Sequence, residues 1–345
     1  MGLRFGSASL SRKWRFLAGA APGLIGAAAV RYFPYTAKTT VDVPVIQVTP
    51  KGKGCMEQST LARIGEKLAF PAAVPLFPGI FLKAPYVNGE NIAIESPRYR
   101  GSNATHLLRG VRLTAQNPRA EKHVAILFCG NAASSLDMAD IADHYLDRGI
   151  HVQMVDVRGF GDSEGFPTAQ GTHLDVEAIV EAAHQWGGKK FYFHGISLGA
   201  HLSAVGARYT AEHYGPDSVG ACILEQPFGE LQGAVKSIPL FAPFAGIAQW
   251  LYPYDNPAVV GGLVTRGPSL VARIRIFRGT QDSLMNPHGI HIGSHKPELD
   301  LNAEAIFQAI SQVAKVERES LIRDEFGAGH CCPAPSNLWV DLLTQ

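Results

Sequence analysis

Ser197 stands in Gly195-Ile196-Ser197-Leu198-Gly199, between the apolar run Lys190-Phe191-Tyr192-Phe193-His194 and an Ala-rich segment of helical character. That order predicts a strand, a sharp turn with serine at its apex, then a helix. Such a turn needs small residues two before and two after the serine, because the backbone there is strained and crowded. A serine hydroxyl is a weak nucleophile at neutral pH and needs an adjacent base, which in turn needs a group to fix its tautomer. His330, in Gly327-Ala328-Gly329-His330, follows the last expected strand on a glycine-rich loop and is the candidate base among 13 histidines. Asp282, in Arg278-Gly279-Thr280-Gln281-Asp282, follows an expected strand and is the candidate acid; Glu225, in Ile223-Leu224-Glu225-Gln226-Pro227, is its competitor. The chain order serine, acid, base is the one that goes with a G-x-S-x-G turn. An oxyanion needs two backbone N–H donors. The expected pair is Leu198, directly after the serine, and Asn131 in Cys129-Gly130-Asn131-Ala132, with Ala132 as the second choice.

Other conspicuous residues read as structural. His194 adjoins the turn from a strand end and is expected to be packed. His288, His291 and His295 lack a nearby carboxylate or cysteine and read as a solvated loop, not a metal site. Asp156-Val157-Arg158-Gly159-Phe160-Gly161-Asp162-Ser163-Glu164-Gly165 is glycine-rich but lacks the G-x-x-x-x-G-K-[ST] pattern of a phosphate loop. Asp156 and Arg158 are expected to be tethers at the sheet edge. The five cysteines show no C-x-x-C spacing, and Cys129 and Cys222 read as small buried residues at strand ends.

The elements that must carry these residues alternate. Strands are expected at Asn91–Glu95, Leu107–Leu113, His123–Cys129, His151–Asp156, Lys190–His194, Gly220–Glu225, Arg273–Arg278 and Glu319–Arg323. Helices are expected at Leu136–Arg148, Asp175–Trp186, Ser197–Tyr214 and Ala303–Lys315. The alternation predicts an α/β fold, a mostly parallel sheet with helices on both faces and chemistry at the carboxyl ends of its strands. Residues 227–270, rich in Pro, Phe, Ala and Trp, are expected to form a small apolar cap, or else ordinary helices packed on the sheet.

In a chain of 345 residues with 46% hydrophobic and 18% charged residues, a substantial core is affordable. The net charge of +1 gives no bulk attraction to nucleic acid. Residues 1–40 differ from the rest: no acid precedes Asp42, and Arg4, Arg12, Lys13, Arg15, Arg31 and Lys38 are basic. The apolar run Phe16–Val30 ends near Ala27-Ala28-Ala29, which predicts a secretory signal, short anchor or transit-like leader and so export or membrane association. The alternative is a cytoplasmic or translocated protein. Residues 41–85 are expected to be an extension and residues 86–345 the main domain.

C-G-N-A, D-x-R-G-x-G-x-S-x-G, G-x-S-x-G, R-G-T-x-D and G-x-G-H occur in the order seen in the α/β-hydrolase superfamily, which the stretch from Tyr86 to Gln345 resembles. Within it the chain looks most like the monoacylglycerol-lipase, depalmitoylase and Bem46-type group. The resemblance implies Ser197 as nucleophile, Asp282 as acid, His330 as base, and Asn131 with Leu198 as oxyanion donors. It departs from that group at Cys129, where histidine is usual, and at Cys331-Cys332 after the base. The expected activity is serine-hydrolase cleavage of a small-molecule or lipid ester or thioester, through an acyl-enzyme and with no metal or organic cofactor required. Peptide cleavage is disfavoured, as no propeller-like domain is seen, and a dehalogenase would need Asp at the turn. Acyl transfer to an alcohol and non-catalytic binding on the same scaffold are the alternatives.

Overall fold

The structure, a computed structural model, describes residues 44–48, 89–131, 133–229, 231–232, 242–247, 253–266, 270, 273–279, 306, 308, 322–326 and 333–344. All of them fall in one compact unit, Val43–Gln345. The leader 1–40 lies outside the described residues, as do 41–43 and 49–85 of the extension.

Among the described residues nine strands form one sheet: β1 (Val45–Ile46), β2 (Gly89–Pro97), β3 (Thr105–Leu113), β4 (His123–Phe128), β5 (His151–Val155), β6 (Lys190–Ile196), β7 (Val219–Glu225), β8 (Ile274–Gly279) and β9 (Ile322–Phe326). Their spatial order is β1-β2-β3-β5-β4-β6-β7-β8-β9. Among the described strands β3 alone runs against the others, since it is antiparallel to β2 and β5 while the remaining pairs are parallel. This is the α/β-hydrolase fold. The four described α-helices are α1 (Ala139–Leu146), α2 (Ala169–Gln185), α3 (Leu198–Tyr214) and α4 (Asn256–Arg266).

The strands in the middle of the sheet are apolar on both sides because both sides are covered. In β4, Val124, Ile126 and Phe128 enter the core beneath α2, α3 and α4, while Ala125 and Leu127 enter the core beneath α1 and the C-terminal turns. Both faces therefore exclude water along one six-residue strand. The connection from β4 to β5 runs to one side, and the next crosses back over β4 to β6. A reversal of this kind leaves a crevice at the carboxyl edge of the sheet, which is where open α/β sheets bind ligands.

Local chemistry explains where the elements begin and end. The expected helix Leu136–Arg148 splits into a 3₁₀ turn, Ser135–Met138, followed by α1. It closes on Gly149, whose φ of 71° favours glycine. Helix α2 starts six residues earlier than its apolar pattern suggests, because Thr168 caps it: Gly171 N–H donates to Thr168 Oγ1 at 2.8 Å. The last strand is Ile322–Phe326, three residues beyond the expected Glu319 start. The expected helix 303–315 lies outside the described residues except for 306 and 308, both helical.

Arg158 and Asp175 fasten this frame. Asp175 is fully buried and accepts from Arg158 Nε at 2.9 Å, Arg158 Nη2 at 2.7 Å, Arg158 N–H at 2.8 Å and Ser96 Oγ at 2.5 Å. Arg158 also donates to the carbonyls of Pro97 and Arg98. The pair joins β2, the loop after β5 and α2, which is the tethering role expected of Arg158. Within 227–270, α4 buries Val259, Val260, Leu263 and Val264, whereas Phe244 and Ile247 are each 57% exposed. Among the described residues no helix is long and apolar enough to cross a membrane.

Candidate active site

Ser197 occupies the single residue between the end of β6 and the start of α3, with φ 57° and ψ −115°. A residue with a Cβ stays in that region only where its surroundings hold it there, and such strain clusters at functional sites. Two backbone hydrogen bonds contribute to the holding. Ser197 N–H donates to Glu225 O on β7 at 2.8 Å, and Ala200 N–H donates to Ser197 O at 3.0 Å.

The two flanking glycines are needed for different reasons. A Cβ on Gly195 would lie 2.0 Å from the Gly199 carbonyl oxygen, because the chain folds back over its own strand end. A Cβ on Gly199 would lie 2.1 Å from Phe128 O and 2.5 Å from Cys129 O. Only glycine at 199 lets the first turn of α3 press against the end of β4. That contact brings the Cys129-Gly130-Asn131 loop beside the serine turn. Leu198 is the first residue of α3, so its N–H is one of those left without an intrahelical acceptor, at the positive end of the helix dipole. Asn131 is exposed. Ala132 lies outside the described residues.

The loop has its own supports. Cys129 is half-buried, not fully packed, and its thiol donates to Ala133 O at 3.3 Å. Cys222, by contrast, is fully buried within β7, and burial pushes its thiol pKa up. Asp156 Oδ1 accepts from Ser135 N–H at 2.6 Å, which pins the far end of the loop to β5, as expected of a tether. Burial raises the Asp156 pKa to about 7, opposed by the bond from Ser135.

This has a consequence for stability. Below the ordinary carboxyl value of 3.8 the group is neutral in both folded and unfolded chains. Between 3.8 and about 7 it ionises only when unfolded, so its contribution to stability falls as pH rises through that window and is constant above it. Asp156→Asn keeps an acceptor for Ser135 N–H without the ionisation. Urea melts should show the variant level with wild type at pH 4 and more stable at pH 8, by at most about 4 kcal/mol. A difference that does not change with pH would refute this origin.

Asp282 and His330 lie outside the described residues, as do His288, His291 and His295. Their places in the chain are fixed by the strands before them. Asp282 comes three residues after β8 ends at Gly279, and His330 four residues after β9 ends at Phe326. Both strands run parallel to β6 and β7, so their carboxyl ends meet the same edge of the sheet as Ser197. Glu225 is fully buried with both oxygens engaged: Oε1 accepts from His194 Nε2 at 2.7 Å, and Oε2 from Ala334 N–H at 2.7 Å. His194 is also fully buried, and its Nδ1 lies 3.1 Å from the Tyr145 hydroxyl. Burial lifts the Tyr145 pKa well above its ordinary value. A protonated phenol on one side and a carboxylate on the other hold the His194 ring with Nε2–H toward Glu225.

A second polar chain escaped the sequence reading. His201, one turn beyond Ser197 on α3, bonds through Nδ1 to Asn256 Oδ1 at 2.8 Å and through Nε2 to His173 Nε2 at 2.8 Å. Asn256 Nδ2 donates to Phe228 O at 2.6 Å, so Oδ1 must be the acceptor from His201 Nδ1–H. His201 Nε2 then accepts from His173 Nε2–H. Burial lowers both pKa values, that of His173 to about 4, which keeps both rings neutral near pH 7. The chain binds α2, α3 and α4 together beneath the serine turn. Nothing in the spacing of 173, 201 and 256 announces it. Among the described residues no group of three or more His, Cys, Asp or Glu side chains is placed to hold a metal ion.

The sequence profile of the family described as serine aminopeptidase, S33 matches residues 119–328. Lysophosphatidylserine lipase ABHD12 of Danio rerio is 26% identical over 230 residues, covering 56% of this chain and 57% of the lipase. The α/β hydrolase domain-containing protein WAV2 of Arabidopsis thaliana is 32% identical over 181 residues, covering 49% of this chain and 53% of its own. A multifunctional-autoprocessing repeats-in-toxin protein of Vibrio vulnificus is 26% identical over 165 residues, 46% of this chain and 3% of the toxin. The chain thus spans about half the length of the first two and a small part of the third. Among solved structures, an α/β hydrolase from Vibrio vulnificus matches with a TM-score of 0.55 at 16% identity, covering 86% of this chain and 99% of that one.

Proposed function

Because this chain is a hydrolase of the serine aminopeptidase S33 family, within the α/β-hydrolase superfamily, we propose that it cleaves carboxylic esters or thioesters with an apolar acyl group. Ser197 is the nucleophile, His330 the base and Asp282 the acid. The hydroxyl oxygen attacks the acyl carbonyl while His330 takes its proton, and Asp282 holds the imidazole tautomer and balances the imidazolium. The N–H groups of Leu198 and Asn131 donate to the tetrahedral oxyanion. The leaving alcohol or thiol departs with the proton from His330, leaving an acyl-serine. Water deprotonated by His330 then releases the acid. The reading rests chiefly on one observation: Ser197 is held at φ 57° on the β6–α3 turn, with Gly199 packed on the end of β4.

The acyl preference draws on two points. Phe244 and Ile247 present exposed apolar surface within the stretch expected to form a cap. Relatives of this chain include a protein named as a lysophosphatidylserine lipase. The basic, apolar residues 1–40 would bring such an enzyme to a membrane or an export route.

The test is fluorophosphonate labelling of the purified chain, followed by a p-nitrophenyl ester series from two-carbon to sixteen-carbon acyl groups. Labelling with a preference for longer chains is expected, and a flat profile would remove the lipid-like substrate. Asp282→Asn should lower kcat by about 10⁴-fold. Glu225→Gln should stay within about threefold of wild type, since its carbonyl can still accept from a backbone amide. The reverse ranking would transfer the acid role to Glu225.

A further inference from the structure

We propose that Glu225 is a positioning residue that fastens the nucleophile turn and the segment following the base to one point at the end of β7. This rests on the assignment of Ser197 and His330 above. The residue acts through two different groups. Its carbonyl oxygen accepts from Ser197 N–H at 2.8 Å and thereby holds the strained turn. Its carboxylate Oε2 accepts from Ala334 N–H at 2.7 Å, only four residues beyond His330. Both ends of the triad's catalytic pair are therefore referred to the same residue of the sheet.

The surroundings make the tether stiff. Glu225 and His194 are fully buried, and Oε1 of the carboxylate accepts from His194 Nε2–H at 2.7 Å. Trp339 lies edge-on to His194 at 4.8 Å between centroids and stacks on Tyr145 at 5.6 Å. The Trp339 indole N–H reaches back to Ala334 O at 3.4 Å, so Ala334 is held through both its N–H and its carbonyl. A fully buried carboxylate must have its oxygens satisfied, and breaking one contact leaves a buried charge short of a donor. The Ala334 amide is thus kept in place by the cost of leaving it.

The chemistry at Ser197 is sensitive to small displacements of its base, as an error of about 1 Å can cost about 10²-fold in rate. Glu225→Met keeps the volume and removes both acceptors. Glu225→Gln keeps a carbonyl for Ala334 N–H, and His194 accommodates the amide N–H by changing tautomer. Tyr145→Phe loosens the same cluster without touching the tether and serves as the control for general destabilisation.

The experiment measures kcat and KM on a p-nitrophenyl ester, and the rate of fluorophosphonate labelling, for full-length wild type and these variants below their melting temperatures. Glu225→Met should lose about 10–100-fold in kcat and in labelling rate with KM within about twofold. Glu225→Gln and Tyr145→Phe should keep at least about a third of wild-type kcat. If Glu225→Met does not fold, Ala334→Pro removes the donor instead and should show the same loss in kcat. The proposal is overturned if the acceptor-free or donor-free variant keeps wild-type kcat, if Glu225→Gln is as impaired as Glu225→Met, or if the loss appears in KM alone. A wild type that is not labelled at all overturns the underlying triad assignment instead.

Discussion

Ser197→Ala should lose about 10⁵–10⁶-fold in kcat and all fluorophosphonate labelling while keeping its fold. The alcohol is the only atom removed, and the turn that presents it is made by backbone bonds to Glu225 and Ala200 that alanine retains. Residual turnover is expected, because oxyanion donors and substrate binding act without the nucleophile. A companion variant separates chemistry from strain. Ser197→Gly should be equally inactive but more stable than Ser197→Ala by about 1 kcal/mol, as glycine reaches a φ of 57° without a Cβ clash and its gain outweighs its entropic cost. Thermal melts of the two variants decide this. Labelling that survives in Ser197→Ala would place the nucleophile elsewhere.

Gly199→Ala should also be strongly damaging, although it touches no reacting atom. The added methyl would sit 2.1 Å from Phe128 O and 2.5 Å from Cys129 O, and both neighbours are backbone that cannot rotate aside. Either α3 tilts off the sheet or the end of β4 moves out. Each response separates the Asn131 loop from the Leu198 amide and would spoil one of the two proposed oxyanion donors. The expected loss is about 10²–10³-fold in kcat, which is the usual effect of losing such a donor. Overpacking should also lower stability by about 1–3 kcal/mol. Steady-state kinetics giving Gly199→Ala a kcat within threefold of wild type would show that the loop and helix are not in register as described.

The serine turn was legible because its requirements are local. The end of a strand, a glycine, a serine, a glycine and the start of a helix lie within a dozen residues, and periodicity reads the strand and the helix. The sheet was legible for a similar reason, since β4, β6 and β7 are apolar on both faces and stand out as runs. Boundaries were less visible where a polar side chain and not hydrophobicity sets them. Thr168 starts α2 ahead of an unpromising Ala-Gln-Gly-Thr stretch, and Ser135–Met138 winds as a 3₁₀ turn that resembles ordinary helix in sequence. The buried polar contacts were hidden altogether. Glu225 meets a backbone amide 109 positions away, and His201 meets Asn256 across 55 positions. No spacing rule encodes such pairs, because each depends on which faces the completed sheet and helices turn toward one another.

Asp156 and Glu225 share a property with a wider consequence. Each clasps the peptide group of a neighbouring loop, at Ser135 and at Ala334, and at Ser135 the side-chain hydroxyl adds a second bond. Any residue except proline supplies the backbone donor, so at such points the loop's side chain is largely released from architectural duty. A protein built this way can be re-tailored toward a new acyl or alcohol group by substitution along its rim while the reactive centre stays in register.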